Sequence, residues 1–243
     1  MKLPNYNLES TLLGGQAFNW DYINGSFYGF TTSRIIKITP ATDGIFWQTY
    51  PEKDNTLYIK NLLNSKDNFD TILTSINKDP QIALAIESIK NVQILKQDFE
   101  QTLFSFILTA HKNIKAVRKV VRQLSRKYGT KYLIDDLEFY TFPSSEVIAT
   151  LSEEQIKECG AGFRAKYLIQ AAKVLSANKN IERELMLKTE QDARQELLKF
   201  NGIGDKVADC ILTFALGFYT VTPIDIWAQR VLLEFYNLNI KFK

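Results

Sequence analysis

Cysteine is scarce in this chain. The only two, Cys159 and Cys210, are far apart and form no C-x-x-C pair. This argues against a thiolate-held zinc or iron–sulfur cluster, and against a disulfide-stapled secreted scaffold. Neither a metal nor a cofactor is expected. Histidine occurs once, as His111. No uncharged apolar run approaches the roughly 18 residues of a membrane span. Met1 to Gly15 lacks the basic-then-apolar order of a leader. Internal repeats and low-complexity tracts are missing too, so the expectation is a soluble, intracellular monomer with no membrane partner. Net charge is low, +3 with a pI near 8.6. That permits a nucleic-acid partner without arguing for one.

What is present divides into two textures. β-Branched and aromatic residues crowd between Ser26 and Tyr50, in Phe27-Tyr28-Gly29-Phe30, Ile35-Ile36-Lys37-Ile38-Thr39 and Ile45-Phe46-Trp47-Gln48-Thr49-Tyr50. Turn formers separate them at Asn24-Gly25, Thr31-Thr32-Ser33 and Thr42-Asp43-Gly44. The pattern predicts three antiparallel strands. From Leu57 onward the periodicity is helical to the end: Leu103, Phe106, Ile107 and Ala110 share one face, as do Val117, Val120, Val121 and Leu124. Ser152 and Gln155 have capping-box spacing. The expected architecture is α+β. A small antiparallel sheet with flanking helices (residues 1–97) packs on a mostly helical unit (98–243), with a helix-hairpin-helix at about 192–217.

The most informative stretch is Asp192 to Arg230. One amphipathic helix stops at Phe200, Asn201-Gly202-Ile203-Gly204 turns, and a second helix starts near Asp205. Two glycines allow positive φ and close backbone approach, and the unpaired amides of a new helix can hold a phosphate oxygen. The same spacing also describes a plain helix–turn–helix corner. Lys206 tips the balance, since it lies in the first helical turn, where the macrodipole disfavours a cation by about 0.3–1 kcal/mol. That field favours the neutral amine a nucleophile needs, and arginine could not supply one. Asp225, after Thr222-Pro223-Ile224, can cap the following helix and can also face positive charge developing on a sugar carbon.

Gly202-Ile203-Gly204-Asp205-Lys206-Val207-Ala208-Asp209 with Thr222-Pro223-Ile224-Asp225 resembles the helix-hairpin-helix glycosylases that carry a Gly/Pro-rich loop and an aspartate. Three further segments are similar to 8-oxoguanine DNA glycosylases: Gly14-Gly15-Gln16-Ala17-Phe18-Asn19-Trp20, Leu95 to Ile114, and Gly160-Ala161-Gly162-Phe163-Arg164-Ala165. The resemblance runs in order from about Asn7 to Arg230. It implies a bifunctional glycosylase and AP lyase acting on duplex DNA that contains oxidised guanine, with Lys206 as Schiff-base nucleophile and Asp225 stabilising the cationic sugar. The Gly15 carbonyl would accept the N7–H that distinguishes 8-oxoguanine from guanine. Cys210 and Phe214 would line the base pocket, although their spacing equally suits a core stripe. Phe163 would wedge into the gap left by the flipped nucleotide and Arg164 would bond the orphaned cytosine. Gly202, Gly204, Val207, His111, Asn113 and Trp227 would meet DNA.

The sequence departs from that family at several points. His111 stands where an asparagine is usual, Ala116 near an expected arginine, Trp227 for a histidine and Asn201 for a proline. The helix that in relatives supplies a base-stacking aromatic and a glutamine has no counterpart up to Lys243. Phe235, Tyr236 and Phe242 are the aromatics available there. Two alternatives therefore stay open: lysine chemistry on another damaged base, and a DNA-binding hairpin without catalysis. Lys112, Lys115, Arg118, Lys119, Arg122, Arg126 and Lys127 suit DNA, and a solvated helix face equally.

Overall fold

The computed structural model describes residues 1–238 except 4, 53, 54, 67 and 111. After a short helix α1 (Leu8–Leu13), four antiparallel strands follow in chain order: β1 (Trp20–Ile23), β2 (Ser26–Phe30), β3 (Ile35–Ala41) and β4 (Gly44–Tyr50). The three expected strands are β2 to β4. The additional β1 pairs Trp20 with Gly29, and the missing side chain is what makes room, since a Cβ on Gly29 would lie 2.7 Å from the Trp20 ring. Asn24 and Gly25 turn the chain with φ of +48° and +81°, the two-residue geometry that suits strand twist.

Helices α2 (Thr56–Leu62), α3 (Phe69–Ile76) and α4 (Pro80–Ser88) lead from the sheet to the helical part. There the expectation of helix to the end is corrected. After α5 (Phe99–Ile107) and α6 (Ile114–Tyr128), the chain forms a hairpin of β5 (Lys131–Ile134) and β6 (Leu137–Tyr140). Its turn is Asp135-Asp136, with φ of +50° and +60°. Two aspartates take the left-handed geometry that glycine normally signals, so the turn carried no glycine marker. Then come α7 (Ser145–Thr150), α8 (Glu153–Glu158), a single 3₁₀ turn (Gly162–Arg164), α9 (Ala165–Ala177) and α10 (Ile181–Met186). The Ser152–Gln155 capping box opens α8 as its spacing predicted.

Helix α5 is the axis of the core: Leu103, Phe104 and Ile107 have no exposure. Burying each contributes about 1.5–3 kcal/mol. Phe18, Tyr28, Phe30 and Ile35 belong to the same apolar cluster as α5, α6 and α9, so sheet and helices share one core. A second cluster, around Trp20, Ile36, Ile38 and Ile59, fills the other side of the sheet against α2. Among the described residues no helix is long and apolar enough to cross a membrane.

Candidate active site

The hairpin forms where its sequence placed it. Helix α11 (Glu190–Leu198) ends before the turn, and α12 (Asp205–Ile211) follows and continues as a π-helical turn (Leu212–Leu216) closed by Gly217 at φ +79°. The two glycines of the turn differ. Gly202 has φ +88°, and a Cβ there would meet the Tyr167 ring at 2.7 Å. Gly204 has φ −102° and ψ −177°, extended backbone open to any residue, with no atom within 4 Å of a built Cβ. The expectation of positive φ at both positions is thus corrected: Gly204 keeps the approach to the helix end bare. No side chain caps α12.

The hairpin's two helices are tied by an ion pair that sequence reasoning missed. Arg194 on α11 approaches Asp209 on α12 at 2.5 Å, off hydrogen-bond geometry. Burial raises the Asp209 carboxyl and the Arg194 guanidinium opposes that shift. Nothing local marked the pair, because its partners meet only once the hairpin closes.

Lys206 is half-buried in the first turn of α12 and has no carboxylate partner among the described residues. Its ammonium lies 5.3 Å from the centre of the Phe106 ring. Phe106 stacks on half-buried Phe214 at 5.8 Å and meets Phe18 edge-on at 5.3 Å. Cys210, one turn along α12, is buried and lies within the field of the Lys206 charge. Burial pushes its thiol up to about 11, the Lys206 charge pulls the other way, and Asp225 adds a smaller upward push. Lys206, Cys210 and Phe214 therefore share a face with α5, as their spacing suggested. Phe106 is the member the sequence did not single out. It reads as one apolar residue in a helix face.

Gly15 has φ +105°, and a Cβ there would come within 2.8 Å of Ile114. Its carbonyl accepts no hydrogen bond among the described residues. Gln97 holds this loop to the hairpin: its side chain donates to the Gln16 carbonyl at 2.8 Å, and its backbone amide donates to the Phe214 carbonyl at 2.7 Å. Gln16 is pinned in turn to Thr11, Gln93 and Leu95. Gln97 lies in the matched segment Leu95 to Ile114, but only the fold shows what it joins.

Asp225 caps helix α13 (Ile226–Tyr236): its Oδ1 accepts from the amides of Trp227 at 3.0 Å and Ala228 at 2.9 Å. Oδ2 accepts nothing among the described residues, so capping uses one oxygen and leaves the other. Trp227 is exposed, with the Arg230 guanidinium 4.8 Å above its ring.

A cleft of about 490 Å³ runs along the hairpin, lined by residues 202–207, Ala110, Phe163, Arg164 and Tyr167. Val207 is buried beneath it. Phe163 projects, 58% exposed. Arg164 does not: it is only 8% exposed, donates from Nη1 to the Ile107 carbonyl at 3.2 Å, and leaves Nε without a partner. Its guanidinium lies 4.8 Å over Phe163 and 5.9 Å from Tyr167. Asn113 is exposed and caps α6, its Oδ1 accepting from Ala116 at 2.9 Å. His111 and Phe242 lie outside the described residues. A larger cavity, beside the N-terminal strand end at Asp43 and Lys90, contains none of these groups.

Known proteins match this chain over nearly its whole length. Residues 1–103 match the 8-oxoguanine DNA glycosylase N-terminal domain. The chain is 29% identical to the N-glycosylase/DNA lyase of Saccharomyces cerevisiae over 75% of its length, and 28% identical to that of Arabidopsis thaliana over 90%. It spans 50% and 63% of those two relatives. A solved Clostridium acetobutylicum 8-oxoguanine glycosylase/lyase, bound to duplex DNA with cytosine opposite 8-oxoguanine, superposes with a TM-score of 0.87. It is 25% identical, and 96% of this chain and 81% of that one are covered. Residues 104–241, more than half of the chain and including the whole hairpin, match one further family. The chain belongs to the HhH-GPD superfamily of base excision DNA repair proteins.

Proposed function

We propose that this protein is a bifunctional glycosylase and AP lyase that excises 8-oxoguanine, opposite cytosine, from double-stranded DNA. The observation that carries the reading is Lys206: a half-buried amine with no carboxylate partner among the described residues, at the mouth of an uncapped helix. Lysine in such a place contributes little to stability, and its lone pair is what the chemistry requires. The amine attacks the sugar C1′, the glycosidic bond breaks, and the base leaves with the bonding pair and takes up a proton. The C1′–O4′ bond then breaks as the nitrogen lone pair forms the Schiff base, O4′ taking up a proton from solvent, and loss of a 2′ proton to solvent expels the 3′ phosphate. The free Oδ2 of Asp225 faces the cationic sugar. The open Gly15 carbonyl accepts N7–H of the oxidised base, where guanine would present an acceptor to an acceptor. Cys210 and Phe214 floor the pocket and Phe163 fills the vacated stack. The bare Gly204 and the α12 amides grip phosphate without reading bases.

The test is borohydride trapping on an 8-oxoguanine:cytosine duplex. A covalent protein–DNA adduct is expected, and Lys206→Gln should abolish it. Absence of adduct on any oxidised or abasic duplex would overturn the reading, and an adduct that survives Lys206→Gln would move the nucleophile elsewhere.

A further inference from the structure

Helix α6 carries six cations in its sequence IKAVRKVVRQLSRKY and no acid at all. Its apolar face, Val117, Val120, Val121 and Leu124, is buried in the core. Three of the cations are committed to the protein. Arg118 donates to the Leu13 carbonyl at 3.0 Å, Arg122 pairs with Asp21, and Lys127 pairs with Glu158. The other three, Lys115, Lys119 and Arg126, are exposed and form no ion pair among the described residues. Glu138, whose carboxyl Arg126 helps to hold down, is itself paired with Lys131. With Arg122 and Gln123 they line one groove of about 270 Å³.

Helix stability does not account for this stripe. Arg126, in the last turn, suits the negative helix end, but Lys115, in the first turn, opposes the positive one. Lys115, Lys119, Arg122 and Arg126 recur at intervals of four, three and four residues, which keeps them on one face. From Lys115 to Arg126 the helix rises about 16 Å, the rise of about five phosphates along one DNA strand. The stripe also begins at the candidate site, where Ile114 packs against Gly15 and Lys112 donates to the Gly160 carbonyl at 3.1 Å.

We propose that the Lys115–Lys119–Arg126 face of α6 is a second nucleic-acid surface that binds the phosphate backbone of lesion-free duplex flanking the candidate site. It rests on the reading of the protein as a DNA glycosylase. Arg122, held by Asp21, borders the track, and the three free cations supply counterion release.

The test measures binding of the whole protein to a lesion-free 24-base-pair duplex across a salt series. The parent is compared with K115Q/K119Q/R126Q and with an equal-charge control, K66Q/K78Q/K90Q. Each lost phosphate contact lowers the slope of log K against log salt by about 0.9, so the stripe variant should lose about 2.7 and the control far less. Thermal melting of both variants at the parent temperature excludes misfolding. Should the stripe variant melt early, single replacements at the same positions, each losing about 0.9, replace it. An unchanged slope, or equal losses in both triple variants, overturns the proposal. Trapping the parent on the 8-oxoguanine duplex separates the two readings: adduct with an unchanged stripe slope defeats only this surface, and no adduct defeats the glycosylase reading beneath it.

Discussion

The Lys206 ammonium sits 5.3 Å from the centre of the Phe106 ring, so two fields of opposite sense act on one amine. The N-terminus of α12 disfavours its charge by about 0.3–1 kcal/mol, and the ring face favours it by about 0.5–2 kcal/mol. The ring also fixes where the amine points. Phe106→Leu keeps an apolar filler but removes the π face. Losing the ring's hold on the amine should slow excision while borohydride adduct still forms, with a modest stability loss of about 1–2 kcal/mol. An unchanged single-turnover rate would show that the ring only packs.

The two hairpin glycines should respond oppositely. Gly202→Ala forces a side chain into φ +88° and against the Tyr167 ring, and should destabilise by about 1–3 kcal/mol. Gly204→Ala meets neither obstacle and should melt with the parent. Its methyl would stand over the uncapped amides of α12, however, so its affinity for lesion-free duplex should fall severalfold. Equal melting losses in both variants, or full affinity in Gly204→Ala, would remove the phosphate-gripping role.

How far the sequence was legible depends on how local each signal is. The Lys206 hairpin, the Asp225 cap and the Ser152 box all rest on residues within a few positions of one another, and the periodicity and turn rules read them directly. The Asp135-Asp136 hairpin was local too, but its turn lacks glycine and its strands have only four residues each. Strand β1 was hidden by its own motif, because Trp20 is explained by a resemblance before its pairing with Gly29 is considered. Phe106 under Lys206, Gln97 bridging Gln16 and Phe214, and Arg194 against Asp209 join distant segments, and periodicity within one segment cannot show them. The burial of Arg164 was equally invisible, since arginine is mostly exposed.

Asp98 should make stability pH-dependent. It caps α5, Oδ1 accepting from Gln101 at 2.9 Å, and burial raises its carboxyl to about 6 against that hydrogen bond. An acid raised on folding binds its proton more tightly in the native state. Its contribution is therefore fully present below the ordinary value of 3.8 and is lost as pH rises through about 6. Asp98→Asn retains the cap acceptor and cannot ionise. Between pH 4 and pH 7 the parent should lose roughly 1–3 kcal/mol relative to Asp98→Asn in denaturant unfolding. Parallel curves for the two proteins would show that Asp98 does not titrate in this window.

Arg164 sets stability against recognition. Its guanidinium is buried, pairs with no carboxylate among the described residues, and donates one hydrogen bond, to the Ile107 carbonyl, while Nε goes unpaired. A buried charge so poorly matched is expensive, and replacing such groups by apolar side chains of similar size is often neutral or stabilising. Arg164→Met should therefore melt at or above the parent temperature. If the guanidinium is held there for the cytosine opposite the lesion, the same variant should lose its preference for that base. Excision rates opposite cytosine and opposite adenine should then converge, because a bidentate base contact discriminates by about 1–3 kcal/mol. A large drop in melting temperature with base preference intact would make Arg164 a packing residue instead. Phe163→Ala separates the two further: it should slow excision opposite every base without changing their order, since a wedge acts on stacking and not on base identity.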